Sequence, residues 1–155
     1  MPTEPELYYF CQPNTGVAPG LPVAFVPVQE FLADEPACKM LWELVDTQFR
    51  TRGKFLAVWR TAGYVAVHRD ADGAVDGFLL VSALVNWQVD YVVVRPDARG
   101  QGVAAALVKT TVREALRRGV PYVMLTSKAS LRPLYEACGF EVVRQAHPVP
   151  VAPTA

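Results

Sequence analysis

The stretch Val92-Val93-Val94-Arg95-Pro96-Asp97-Ala98-Arg99-Gly100-Gln101-Gly102-Val103-Ala104 constrains this chain more than any other. Three consecutive valines favour a buried strand. Pro96 has no N–H to give to a ladder, so the strand stops there. Gly100 and Gly102 allow a sharp turn and leave no side chain between the backbone and a ligand. Val103, Leu107, Thr111 and Ala115 then recur at helical spacing, with Val108, Val112 and Leu116 beside them and Gly119 at the capping position. The stretch reads strand, tight loop, helix. A helix that opens straight after a glycine loop presents unpaired N–H groups and a partial positive charge, which suit an anion and above all a phosphate. Two familiar phosphate loops are excluded. No Lys-Ser/Thr pair follows the glycines, and the third glycine of G-x-G-x-x-G is absent, since Val103, Ala104 and Ala105 follow Gly102.

The remaining pattern, Arg99-x-x-Gly102-x-Ala104 after the strand end Val94-x-Pro96, resembles the Gln/Arg-x-x-Gly-x-Gly/Ala motif of the GNAT superfamily of acyl-CoA N-acyltransferases. A second signal lies further on. Arg132-Pro133-Leu134-Tyr135-Glu136-Ala137-Cys138-Gly139-Phe140-Glu141 is similar to the family's late helix and following strand, commonly Leu-Tyr-x-x-x-Gly-Phe. The likeness is specific over residues 64–143. The fold it implies is α/β, a central mixed sheet with helices on both faces, and the order of elements read along the chain agrees.

Composition sets the outer limits. A chain of 155 residues makes one domain that buries roughly 70% of its unfolded surface. Apolar residues are 52%, too many for a disordered protein. Fifteen basic residues balance fifteen acidic ones, so charge suggests no nucleic-acid partner. No apolar run reaches the roughly 18 residues of a membrane span. The start, Met1-Pro2-Thr3-Glu4-Pro5-Glu6, is unlike a signal peptide. Cys11, Cys38 and Cys138 are an odd, scattered set that reads as reduced packing thiols in a cytoplasmic protein.

Three regions are expected: an N-terminal extension over 1–20, the GNAT-like domain over 21–146, and a proline-rich tail over 147–155. Residues 7–11 read as a strand, either at a sheet edge or in a dimer contact. Residues 23–28 form a strand, and Asp34-Glu35-Pro36 opens a helix whose mostly apolar face includes Leu41, Leu44, Val45 and Gln48. Residues 54–61 are read as a short helix. Strands follow over 64–69 and from 75 to about 85, joined by the Asp70-Ala71-Asp72-Gly73 turn, with a bulge at Asp76-Gly77. Residues 87–94 are the central strand. After the long helix come a strand over 121–126, parallel to the central one, a helix over 131–138 capped by Ser130, and a last strand over 140–145. His68 is expected at the surface and His147 in the tail, and neither makes a metal set. Trp42, Trp59 and Trp87 suit the core better than a substrate wall.

The resemblance assigns roles. The backbone of Gly100, Gln101, Gly102, Val103 and Ala104, with Arg99, would hold the pyrophosphate of acetyl-CoA. The backbone of Val92, Val93 and Val94 would pair with the pantetheine arm, and one N–H there would stabilise the oxyanion. Tyr135 matches the family's tyrosine and would protonate the departing thiolate. Alternation on a strand puts 88, 90, 92 and 94 on one face. The family often carries a carboxylate there, but position 88 is Gln, so Asp90, or a water held by Gln88, is the candidate base. Where many members have Asn, this chain has Lys128, so Ser127, Lys128 or Arg132 would contact the donor instead.

The function so implied is acetyl transfer from acetyl-CoA, without a metal, to a primary amine of a small molecule or peptide by direct attack in a ternary complex. The alternative is an acyl-CoA-binding module that has lost catalysis. The acceptor wall is expected from residues 30–63 and 84–88, which mix both charges. A homodimer is common in the family.

Overall fold

In the computed structural model, which describes residues 4–48, 59 and 62–146, seven strands form one sheet. The strands are β1 (Glu6–Cys11), β2 (Ala24–Pro27), β3 (Tyr64–Arg69), β4 (Val75–Ala83), β5 (Trp87–Val94), β6 (Val123–Lys128) and β7 (Glu141–Ala146). The helices are α1 (Val28–Leu32), α2 (Glu35–Gln48), α3 (Val103–Arg117) and α4 (Arg132–Ala137). The sheet order is β2-β3-β4-β5-β6-β1-β7, antiparallel throughout except for the β5–β6 pair. The helix expected over 54–61 lies outside the described residues, apart from Trp59, and so does the tail.

Strand alternation sorts the core into two layers. Ala66, Leu79 and Val81 face α3 and α4, packing with Leu107, Val108, Val112 and Tyr135. Val65, Val67, Phe78 and Leu80 face α1 and α2, packing with Phe31, Leu41, Leu44 and Val45. Asp34 caps α2 as expected, its Oδ1 accepting from Ala37 N–H at 3.1 Å. Trp87 is core, stacked on Phe25 and packed at a tilt against Tyr64.

The N-terminal strand is not at a sheet edge. It lies inside the sheet, antiparallel to β6 on one side and β7 on the other. Leu7, Tyr9 and Cys11 are buried and Tyr8 is exposed, the period-2 pattern of a strand with one packed face. Burial raises the thiols of Cys11 and Cys138 to about 11, so both stay protonated and inert near neutral pH.

Two bulges shape the centre of the sheet. In the β3–β4 pair His68 faces Gly77 and Arg69 faces Val75, so Asp76 is the extra residue, where a bulge was expected. Its buried carboxylate lies 2.6 Å from His68 Nδ1. His68 is therefore not the surface residue anticipated, because the bulge gives it an interior partner. In the β4–β5 pair Leu80 faces Tyr91 and Val81 faces Val89, so Asp90 is the extra residue. Parity flips there. Trp87, Val89, Val92 and Val94 share the α3 face, while Tyr91 and Val93 face α2. The expected common face of 88, 90, 92 and 94 is overturned, since alternation does not survive an inserted residue.

Past the second bulge β5 leaves β6. The two strands pair only at Trp87 with Val123 and Gln88 with Met124. β6 continues along β1 as far as Glu6–Lys128, so a wedge opens between β6 and residues 89–94. Helix α3 is set beside this wedge by Gly77. A Cβ there would lie 2.6 Å from Val103 Cγ1 and 3.3 Å from both Leu107 Cδ1 and the Val93 carbonyl. Val103 is stiff at χ1 within a helix and has little room to give. Gly77→Ala is expected to destabilise the fold by about 1–3 kcal/mol, read as a lower urea midpoint and a melting temperature reduced by about 2–4 °C per kcal/mol. An unchanged midpoint would show that α3 yields freely.

Candidate active site

The glycine loop acts as the sequence requires. Gly100 and Gly102 have φ of +76° and +84°, conformations that L side chains rarely adopt. Gly102 is the N-cap of α3 and offers no capping side chain, and the first bond back is from Ala106 N–H to Gly102 O at 3.0 Å. The amides of Val103, Ala104 and Ala105 are therefore left for another acceptor. They open onto a cleft of about 440 Å³. Residues 92–94 of β5 line a second side of it, and Leu131, Leu134 and Tyr135 line a third. Gln48 of α2 also lines it.

A second cleft of about 690 Å³ lies on the other side of the wedge. Residues 89–92 of β5 and residues 125–128 of β6 form its walls, and Glu4, Glu6 and Ser130 stand at its edge. The two clefts share Val92, Arg99, Leu131 and Tyr135. Each is thus an approach to the same gap in the sheet. The gap combines an open strand edge, a phosphate-sized set of amides, a buried phenol and a half-buried carboxylate.

Tyr135 is 4% exposed. Its ring lies against Tyr9 in a tilted pair with centroids 4.8 Å apart. Burial holds its pKa above the ordinary phenol value, so it stays protonated through the neutral range. Asp90 lines the second cleft, accepting a hydrogen bond from Ser82 Oγ. Loss of water around it raises its pKa above the usual 3.8, and the Ser82 bond opposes that shift. Tyr9, buried beside Tyr135, donates its hydroxyl to Lys128 O at 3.0 Å and so ties ring and strand together.

Other expected contacts fall elsewhere. Arg132 is ion-paired with Glu136 and lines neither cleft. The Gln101 side chain donates back to Asp97 O at 3.3 Å, outside the cleft lining. Ser127 and Lys128 line the second cleft, across the wedge from the glycine loop. Ser130 does not cap α4, whose N-cap is Leu131. Instead its amide donates to the Glu4 carboxylate. No residue of the expected acceptor wall lines the second cleft among the described residues. Motif reading passed over Gln48, Ser82, Tyr9 and Glu6, which reach the site from other elements and carry no local pattern.

Comparison with known proteins agrees with this geometry. A family model described as an acetyltransferase (GNAT) domain matches residues 52–142. No curated protein sequence matches the chain. Among solved structures, a GCN5-related N-acetyltransferase from Sphaerobacter thermophilus superposes with a TM-score of 0.68 at 20% identity, over 94% of this chain and 50% of that one. A GNAT-family acetyltransferase from Colwellia psychrerythraea gives 0.66 at 11% identity, over 92% of this chain and 54% of that one. This chain thus spans about half the length of both. A ribosomal-protein-alanine N-acetyltransferase from Brucella melitensis biovar Abortus gives 0.58 at 22% identity, over 84% of this chain and all of that one. At these identities the likeness is one of fold, and the match over 52–142 supplies the lineage: the chain belongs to the GNAT acetyltransferase family.

Proposed function

We propose that this chain transfers an acetyl group from acetyl-CoA to a primary amine by direct attack, with the donor in the first cleft and the acceptor in the second. The observation that carries this reading is the wedge itself. An unpaired strand edge, the α3 amides and Tyr135 border one cleft, and Asp90 and Tyr135 border the other.

The first cleft suits the donor on chemical grounds. Three free amides, a helix N-terminus and the Arg99 guanidinium suit bridging phosphates. The edge over Val92, Val93 and Val94, open except at the Val94 carbonyl that Gln48 and Arg99 cover, suits the amide-bearing pantetheine arm, which adds to the sheet as a strand does. This brings a thioester to the gap. There the amine nitrogen forms a bond to the acyl carbon and loses a proton, and the carbon–sulfur bond breaks. Asp90 takes the proton, directly or through a water. A carboxylate whose pKa is raised by burial is a better base than an exposed one. Tyr135, kept neutral by burial, gives a proton to the departing sulfur. The clefts hold mixed charge, with Glu4, Glu6 and Asp90 against Lys128 and Arg99, so charge alone names no acceptor.

Three outcomes test the reading. Acetyl-CoA at 100 times its dissociation constant stabilises by about 2.7 kcal/mol and raises the melting temperature by about 5 °C or more. Gly102→Val, which blocks the amides and strains the loop, removes that shift while the protein still melts cooperatively. A shift that survives Gly102→Val places the donor elsewhere, and binding without coenzyme A release on any amine leaves a binding module. Tyr135→Phe keeps the ring and is expected to lower turnover about 10²-fold with little change in donor affinity, and a wild-type rate removes the acid role. For Asp90 the native pKa exceeds the unfolded one, so its contribution to stability is complete below pH 3.8 and is lost as pH rises through the native value. Asp90→Asn should therefore gain on wild type in urea midpoint as pH rises above about 4. A difference that is flat with pH shows that Asp90 is not held in that state.

A further inference from the structure

Gln48 is the last described residue of α2 and lines the first cleft. Both ends of its side-chain amide are engaged with the neighbouring loop. Oε1 accepts from Arg99 Nη2 at 2.9 Å, and Nε2 donates to the Val94 carbonyl at 3.4 Å. Arg99 Nε donates to that same carbonyl, also at 3.4 Å. Helix α2, the end of β5 and the residue before Gly100 are thus joined in one ring of contacts. A guanidinium has five N–H donors in a planar fork. Two are used here, which leaves the others for the cleft that Arg99 lines. Arginine otherwise carries much side-chain entropy, and an arginine already held loses less of it when an anion arrives.

We propose that Gln48 is a positioning residue for the donor's phosphates: it holds the Arg99 guanidinium beside the glycine loop with its free N–H groups available to the cleft. This rests on the first cleft being the acetyl-CoA site. Gln48 touches no reacting atom and acts through Arg99, so its effect is confined to donors that carry phosphate.

The test is a set of binding isotherms on the full chain with two donors. One is acetyl-CoA. The other is acetyl-pantetheine, which keeps the thioester arm and lacks the bridging phosphates and nucleotide. Gln48→Ala is expected to weaken acetyl-CoA about tenfold, the loss of one charge-assisted contact, and to leave acetyl-pantetheine unchanged. In an Arg99→Ala background, Gln48→Ala adds no further loss. Gln48→Glu keeps the length and the hold on Arg99 but offsets its charge, so it too weakens acetyl-CoA alone. It answers the same question if the alanine variant fails to fold. Equal affinity of wild type and both variants for acetyl-CoA overturns the proposal, as does an equal loss with both donors or an additive loss with Arg99→Ala. Wild type that binds neither donor overturns the reading of the cleft, and this proposal with it.

Discussion

Among the described residues two pairs, Trp87 with Val123 and Gln88 with Met124, make the ladder between β5 and β6, and the candidate site opens because the ladder stops there. A parallel pair left joined would place Val92 and Val94 beside β6, with no space for anything else. A bulge such as that at Asp90 bends its strand and increases the local twist, while β1 holds β6 through six paired residues. One strand turns and the other is restrained, so they diverge. The backbone groups that this exposes are strong donors and acceptors, and leaving them unpaired costs about 1–3 kcal/mol each if they are also cut off from water. The wedge avoids that penalty by opening as two clefts, and at its far end the Val94 carbonyl is covered by Gln48 and Arg99. An open edge inside a cleft is also shielded from pairing with other chains, the usual hazard of a bare strand.

The bulge also accounts for the chemistry that gathers here. An extra residue in a strand is not bound to either alternating face, so Asp90 escapes the core layers that hold Val89 and Tyr91. It stays half-buried, and the loss of water around it raises its pKa. Tyr135 reaches the same gap from α4 by a different route, its ring fixed between Tyr9 and Phe140.

Much of this was legible in the sequence, and some parts were not. The boundaries of β3 and β5 follow from alternation and from turn residues at each end, and the glycine loop declares its positive φ angles by composition alone. These are local signals. The parity of β5 was misread because a bulge at Asp90, with no Gly or Asp-Gly beside it, leaves no local mark. The bulge at Asp76 does carry that mark, in Gly77, and was legible. His68 is misplaced for a different reason: its partner Asp76 lies eight residues away and meets it only across the hairpin. Gln48 and Ser82 act through contacts made by the assembled sheet, and no spacing rule reaches from residue 48 to residue 99.

The N-terminal strand shows how far such non-local dependence extends. Residues 1–20, with the strand expected over 7–11, read as an extension because they lie ahead of the family's motifs. In the sheet residues 6–11 pair with both β6 and β7, and they carry Tyr9 to the ring of Tyr135 and Glu4 to the amide of Ser130. The direction of β6, the angle of the wedge and the seating of the candidate acid therefore all lean on the first strand of the chain. A strand paired on both sides adds its own ladder bonds and also prevents its neighbours from following β5, so its contribution to the site exceeds its contact with it. Loss of that strand would let β6 relax toward β5 and close the gap, even with every motif residue unchanged.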